Sequence, residues 1–323
     1  MGEQVETVAG PVDRNSLGRV LMHEHIFIIT YDYWLNYPQR EGFDEERFVG
    51  EAIEQLADLK GHGIDTIVDL TVFGMGRYIP RIRAVAEASE INIVAATGMY
   101  IYESLPMPFH YQGPAPLIGG RELLVDMFVE DIVEGIAGTG VKAGIIKCAT
   151  DEVGMTPQVE RVVRAAAHAS AQTGTPISTH THAAKKVGND QVRVFEEEGV
   201  DLARVVIGHS GDTADLDYLT GLLAKGVTLG MDRFGTETPL TTKERVDVIA
   251  ELCRQGFSSQ LVLSHDAAVF NDLTPLELVR EPAPEWNFTF IPRTVLGMLE
   301  EQGVTPAMID DMLVGNPRRI LAG

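Results

Sequence analysis

The chain has 323 residues, 45% of them apolar and 23% charged, which is the mix of an ordinary globular protein and not of a disordered one. Its 26 Lys and Arg stand against 47 Asp and Glu, a formal net charge of −21 that repels nucleic-acid backbones and anionic membranes, so neither is expected as a partner. Two cysteines, Cys148 and Cys253, cannot build a disulfide framework and fit a reducing cytoplasm; no apolar run reaches the ~18 residues of a membrane span, and residues 1–13 carry no apolar signal core.

Along the chain, short apolar runs rich in β-branched residues alternate with longer amphipathic stretches. The runs fall at 19–25, 65–71, 91–98, 143–149, 176–182, 204–210, 227–232 and 260–266. Near-continuous apolar character over such lengths is what parallel strands buried on both faces look like. Helix patterns separate them at 43–61, 80–90, 121–138, 156–174 and 213–226, several ending at glycine, with Thr156-Pro157 reading as an N-cap and first helical position. Eight strands alternating with helices predict a (β/α)8 TIM barrel, residues 1–323 forming one domain. The rival, an open doubly wound sheet, would usually carry a Gly-rich phosphate turn after its first strand, and none follows His25.

The connections after the first, third and eighth runs are long, and would sit as βα-loops over the C-terminal face of the barrel, where active sites form. They hold Tyr31, Tyr33, Trp34, Tyr37, Tyr100, Tyr102, Phe109 and Tyr111, from which an apolar substrate pocket is expected.

Polar residues gather at the C-terminal ends of the runs: His23 and His25, Lys147, His180 and His182, His209, Asp232 and Arg233, His265 and Asp266. Six of the nine histidines belong to this set. In His23-Glu24-His25 on a strand, alternation puts both imidazoles on one face and turns Glu24 away. Two nitrogen donors on one face, with His180, His209 and Asp266 at equivalent strand ends, suit Zn²⁺ and neighbouring first-row metals. Lys147 lies inside the apolar run Ala-Gly-Ile-Ile-Lys-Cys-Ala. Burial would push its pKa down, and a neutral amine can add CO₂ to become an anionic carbamate. The other reading is a lysine paired with a strand-end Asp.

These segments, Gly-Arg-Val-Leu-Met-His-Glu-His (18–25), Gly-Ile-Ile-Lys-Cys-Ala-Thr-Asp-Glu (144–152), Ser-Thr-His-Thr-His (178–182), Ile-Gly-His-Ser-Gly-Asp-Thr (207–213), Gly-Met-Asp-Arg-Phe-Gly (230–235) and Leu-Ser-His-Asp (263–266), run from the first strand to the eighth. In them the chain resembles the phosphotriesterase family of the amidohydrolase superfamily. More narrowly it is similar to the phosphotriesterase-like lactonases, N-acyl-homoserine lactonases among them.

The resemblance implies two divalent metal ions per subunit, zinc foremost and cobalt, manganese or iron as alternatives. His23, His25 and Asp266 would hold the buried ion and His180 and His209 the exposed one, with N-carboxylated Lys147 and a hydroxide bridging. His182 would line the site without being a ligand. Three features separate lactonase from phosphotriesterase: Tyr100 in Gly-Met-Tyr-Ile-Tyr, the short stretch 233–240, and Arg233 where phosphotriesterases have a relay histidine. Arginine cannot accept a proton, so Asp266–Arg233–Asp212 is expected to be an ion-pair brace. Where lactonases often carry a Trp after the metal-binding Asp, this chain has Phe270, Asn271, Asp272 and Leu273.

The expected activity is hydrolysis of lactones, N-acyl-homoserine lactones in particular (quorum quenching), with weak organophosphate hydrolysis on the side. Asp266, Tyr100 and Arg233 are the catalytic candidates. Tyr102, Phe270 and Leu273 are the candidates for holding the acyl tail, with Val269, Leu276, Trp286, Phe288, Phe290, Leu105, Met107 and Phe109 as further groove residues. A homodimer is expected from the resemblance. The alternatives are a primary phosphotriesterase and a metal-free binding or scaffold barrel.

Overall fold

The computed structural model describes residues 4–38, 42–114, 117–274, 278 and 281–322. Eight parallel strands form a single sheet: β1 (Val20–Glu24), β2 (Thr66–Asp69), β3 (Asn92–Gly98), β4 (Ile145–Thr150), β5 (Ile177–Thr181), β6 (Val205–Ile207), β7 (Thr228–Met231) and β8 (Leu261–Leu263). Each pairs with its sequence neighbour. The first and last meet through His23 N donating to Ser264 Oγ (2.8 Å), Asp266 N to His23 O (3.1 Å) and His25 N to Ala267 O (2.9 Å). That closes a (β/α)8 TIM barrel.

Helices follow each strand, among them α1 (Glu45–Gly61), α2 (Ile79–Ser89), α3 (Leu123–Glu130), α4 (Pro157–Thr173), α5 (Gly188–Glu197), α6 (Leu216–Ala224), α7 (Thr242–Arg254) and α8 (Leu296–Glu301). Local chemistry sets their ends. In α1, Phe48, Ala52, Leu56 and Leu59 bury one stripe, and Asp44 accepts from Arg47 N as N-cap. Thr156 caps α4 ahead of Pro157, and Gly174 ends it in the left-handed conformation. Thr241 and Glu244 form a reciprocal capping box on α7.

Two stretches are shorter as helices than their pattern predicts. Residues 121–138 give only α3, because the chain widens into a π-turn over Asp131–Gly135 and leaves the helix at Gly135 (φ 122°) and Ala137 (φ 51°). Residues 213–226 start their helix at Leu216, where Asp215 caps Tyr218 N. The runs 204–210 and 260–266 pair over only three residues each, and His209 and Asp266 lie just past the strand ends with φ of 55° and 56°. The left-handed region is uncommon for non-glycine residues but enriched in His and Asp, and here it turns both side chains across the barrel mouth.

The β3–β4 contact shows why glycine is needed beside the lysine strand. Gly98 pairs with Lys147 at φ 123°, and a Cβ there would lie 1.9 Å from Lys147 O. No helix among the described residues is long and apolar enough to cross a membrane.

Candidate active site at the C-terminal barrel mouth

The structure brings the strand-end residues of β1, β4, β5, β6 and β8 together. Nε2 of His23 and Nε2 of His25 each lie 3.3 Å from Asp266 Oδ1. Nε2 of His209 lies 3.8 Å from Asp266 Oδ2 and 2.9 Å from His180 Nδ1, and Lys147 Nζ is 2.8 Å from His23 Nε2. Candidate ligand atoms of His23, His209 and Asp266 all fall within 4.8 Å of one another.

The far side of each imidazole is fixed. His25 Nδ1 stands 2.9 Å from Thr71 Oγ1. Asp232 divides its carboxylate, Oδ2 being 2.9 Å from His23 Nδ1 and Oδ1 2.9 Å from His209 Nδ1, while also accepting from His209 N at 2.8 Å. Gly230 and Gly208 make room for it: a Cβ on Gly230 would come within 2.4 Å of Asp232 Oδ2, and on Gly208 within 3.3 Å. Nε2 of His180 rests 2.9 Å from Asp151 Oδ2, and Tyr100 Oη donates to the same oxygen at 3.3 Å. An outer nitrogen held on a carboxylate or hydroxyl leaves the inner nitrogen's lone pair free, which is how protein metal ligands are oriented.

Burial shapes the charges. It lowers Lys147 to about 8, and it lowers His23 to about 4 with the neighbouring lysine adding to the effect. His180 and His209 are also lowered, by burial first and then by nearby cations. Burial alone would raise Asp266, but His23, His209, the His25 hydrogen bond and Arg233 outweigh it and hold the carboxyl well below its usual range. Burial, and then Asp151, push the Tyr100 phenol upward, so it stays protonated. Neutral imidazoles beside an ionised carboxylate and a deprotonatable lysine are a donor set that fits divalent cations.

Arg233 donates from Nε to Asp266 Oδ2 (3.1 Å) and from a terminal nitrogen to Asp212 Oδ2 (2.8 Å), giving the brace Asp266–Arg233–Asp212.

A cavity of about 410 Å³ opens above this cluster. His23, His25, Tyr100, Lys147, His180, Arg233 and Asp266 form its base. Ile28, Met75, Leu273, Pro282, Ala283 and Trp286 add apolar surface to its lining, and Thr236, Glu237, Thr238, Asn271 and Thr274 polar surface.

Several expected lining residues lie elsewhere. Phe270 is buried against Phe43 and Phe48, ring centroids 4.9 and 4.8 Å away, because Phe270–Asn271 adds a short parallel strand beside Phe27–Ile28 and turns the ring inward. Tyr102 is half exposed and outside the lining. Val269, Leu105, Phe109, Phe288 and Phe290 belong to the core, Met107 is exposed, and Leu276 lies outside the described residues. Of the eight loop aromatics only Tyr100 lines the cavity; Tyr31 and Trp34 pack on each other, and Trp34 on Phe43. His182 also stands outside the lining, its Nδ1 buried without a hydrogen-bond partner.

Four residues with no role assigned from sequence prove to hold the site: Asp232, Asp151, Thr71 and Glu24. Glu24 turns away from the histidines, as alternation requires, into the β1–β8 seam. Its carboxylate accepts from Ser264 Oγ (2.9 Å), His265 N (3.0 Å) and Ala267 N (3.0 Å) and lies 2.7 Å from His265 Nδ1. The residues on both sides of Asp266 are thereby fixed.

A closed α/β barrel with a histidine, carboxylate and lysine cluster at the C-terminal mouth, beneath a cavity of mixed apolar and polar lining, has the arrangement of a barrel hydrolase. Residues 3–321 match the model of the phosphotriesterase family, and the chain belongs to that family. It is 53% identical over 317 residues to a phosphotriesterase homology protein of Mycobacterium tuberculosis, covering 98% of this chain and 97% of that one. It is 36% identical over 313 residues to an aryldialkylphosphatase of Saccharolobus solfataricus, covering 96% and 97%. The solved structure of the phosphotriesterase from Mycobacterium tuberculosis superposes with a TM-score of 0.96 at 53% identity, covering 98% of each chain.

Proposed function

We propose that this hydrolase opens lactone rings, N-acyl-homoserine lactones foremost, and that organophosphate hydrolysis is a weak side activity. The observation that carries the reading is Tyr100: a protonated phenol at the cavity base, hydrogen-bonded to Asp151 and set edge-on to His180 with ring centroids 5.3 Å apart. Turned from Asp151 toward the cavity, its one hydroxyl hydrogen suits a carbonyl oxygen that gains negative charge. The apolar residues of the lining suit an alkyl tail and the polar ones an amide.

Two divalent cations, one held by His23, His25 and Asp266 and the other by His180 and His209, with carboxylated Lys147 between them, would supply an activated water and polarise the carbonyl. The chain's own residues do the rest. Tyr100 orients the ring carbonyl. Asp266, ionised and held by Arg233, takes the proton of the attacking water. From there the proton passes on to the leaving ring oxygen. Arg233, always charged, keeps Asp266 in place and takes no proton itself.

A second reading, primary phosphotriesterase activity, is favoured by the likeness to the aryldialkylphosphatase. The test is kcat/KM of the metal-reconstituted enzyme on acyl-homoserine lactones beside paraoxon. A higher value for lactones supports the first reading, and a higher value for paraoxon replaces it with the second. The proposal includes a homodimer, supported by the exposed Leu35, Tyr37, Met107, Leu117 and Ile118. Sedimentation of a single-chain species alone at micromolar concentration would exclude it.

A further inference from the structure

Arg245 is wholly buried, although it lies in the first turn of α7, on the outer layer of the barrel. Its guanidinium does not serve the core. One terminal nitrogen donates to Leu240 O. The other lies within hydrogen-bond reach of Asp212 Oδ1 (2.8 Å), Thr238 O (3.0 Å) and Thr236 Oγ1 (3.1 Å). Three of these four partners belong to the segment between β7 and α7, whose residues Thr236, Glu237 and Thr238 line the cavity. The fourth, Asp212, is the outer end of the Asp266–Arg233–Asp212 brace.

The two arginines therefore share Asp212, one on each carboxylate oxygen, and charge alternates along Asp266, Arg233, Asp212 and Arg245. Asp212 is itself nearly buried, its side chain 8% exposed. The same segment is tied a second time, since Glu237 accepts from Thr242 N at 3.2 Å and holds its conformation at φ 57°. A planar fork with several donors can hold a carboxylate and separate backbone carbonyls at once, whereas a lysine ammonium cannot reproduce that spread.

We propose that Arg245 is a positioning and specificity residue: it fixes the 236–240 wall of the cavity and the Asp212–Arg233 pair in one geometry, so that the shape of the substrate cavity and the pose of Asp266 are set together. The inference rests on the hydrolytic reading of the site. It predicts that loosening the wall weakens substrate binding and blurs selectivity more than it removes catalysis.

The test compares Arg245→Met and Arg245→Lys with the unmodified enzyme. Readouts are metal content, kcat and KM for a short-chain and a long-chain acyl-homoserine lactone, and hydrogen exchange of the amides over 236–240. Arg245→Met is expected to keep its metal, to raise KM roughly 10-fold with a smaller change in kcat, and to narrow the chain-length preference. Exchange over 236–240 should quicken while that of α4 stays as it was. Arg245→Lys should fall between the two. If Arg245→Met does not accumulate as folded protein, Arg245→Lys carries the same comparison. Unchanged KM and unchanged loop exchange in a folded variant would overturn the proposal, as would faster exchange spread evenly over the barrel with KM unaltered. If the unmodified enzyme opens no lactone, that substrate reading fails by itself, and the exchange experiment still decides the role of Arg245.

Discussion

Lys147 Nζ stands 2.8 Å from His23 Nε2, and both side chains are sealed from solvent. Two cations cannot coexist there, and burial resolves the conflict by lowering the lysine to about 8 and the histidine to about 4. A lysine that reaches its neutral form near physiological pH can add CO₂ and release a proton, becoming a carbamate. Lys147→Ala should then lose metal and activity together, and short carboxylic acids added with metal should restore part of the rate. Elemental analysis beside lactone assays checks it; a fully metallated, active Ala variant would sink the idea.

Asp232 orients one histidine from each of the two proposed metal positions. Asp232→Asn can satisfy only one of the two Nδ1–H groups, so the other imidazole is free to turn. Metal affinity should fall roughly 10- to 100-fold, as for other outer partners of metal-bound histidines. Competition with a chromophoric chelator measures this directly. An unchanged affinity means that packing alone holds the rings.

Tyr100→Phe removes the phenol from the cavity base and leaves every proposed ligand in place. kcat on lactones should drop on the order of 100-fold with metal content unaltered. The loss on paraoxon should be smaller, because the phenol was assigned to a carbonyl. Equal losses on both substrates would count against that assignment.

Leu273 and Trp286 line the cavity and Phe270 does not, so the proposed acyl tail would lie against the first two. Each methylene buried there contributes about 0.8 kcal/mol, so two more should raise kcat/KM roughly 15-fold until the groove is full. Leu273→Ser should flatten that trend. Phe270→Ala should instead destabilise the fold by about 3–5 kcal/mol, since it empties the Phe43–Phe48 cluster, and leave the trend standing in the folded fraction. Chain-length series and urea titrations on both variants separate the two roles.

The metal-free protein should weaken as pH falls from the ordinary histidine value of 6.5 toward about 4. Over that interval the unfolded chain binds a proton at His23 that the folded chain refuses, so unfolding is favoured. Below about 4 this contribution is spent. Lys147 acts in the alkaline range: lowered to about 8, it gives stability that grows as pH rises from there toward 10.5. Denaturant titrations of apoprotein at pH 6.5 and 4.5 test the acid limb, and equal stabilities would contradict it.

The barrel and the strand-end residues were legible because both are local. An apolar run announces a buried strand, and a histidine at its end has little to do in a core. Asp232 closes the same kind of run, yet its double contact depends on how β1, β6 and β7 come together, which no local pattern carries. Phe270 shows the opposite error. Loop composition suggests an apolar groove, but two residues of pairing with Phe27–Ile28 decide which way the ring faces. Gly135 cuts a helix that periodicity alone would extend, because its φ of 122° is closed to other residues and its Cβ would collide with Gly140. Arg245 carries no local signal of its role, because its partners lie on the 236–240 segment and at Asp212.

Glu24 and Ser264 lie 240 positions apart and meet inside the seam that completes the barrel. On the ribosome the glutamate is made long before its partners, which follow some 240 residues later. Until then a carboxylate destined for complete burial stays in water, because its hydrogen-bond partners among the described residues all lie at 264–267. Asp266 arrives with the same late segment. Seam closure and completion of the cluster are thus one event in the life of the chain, and nascent chains ending before residue 264 should neither retain metal tightly nor turn over substrate.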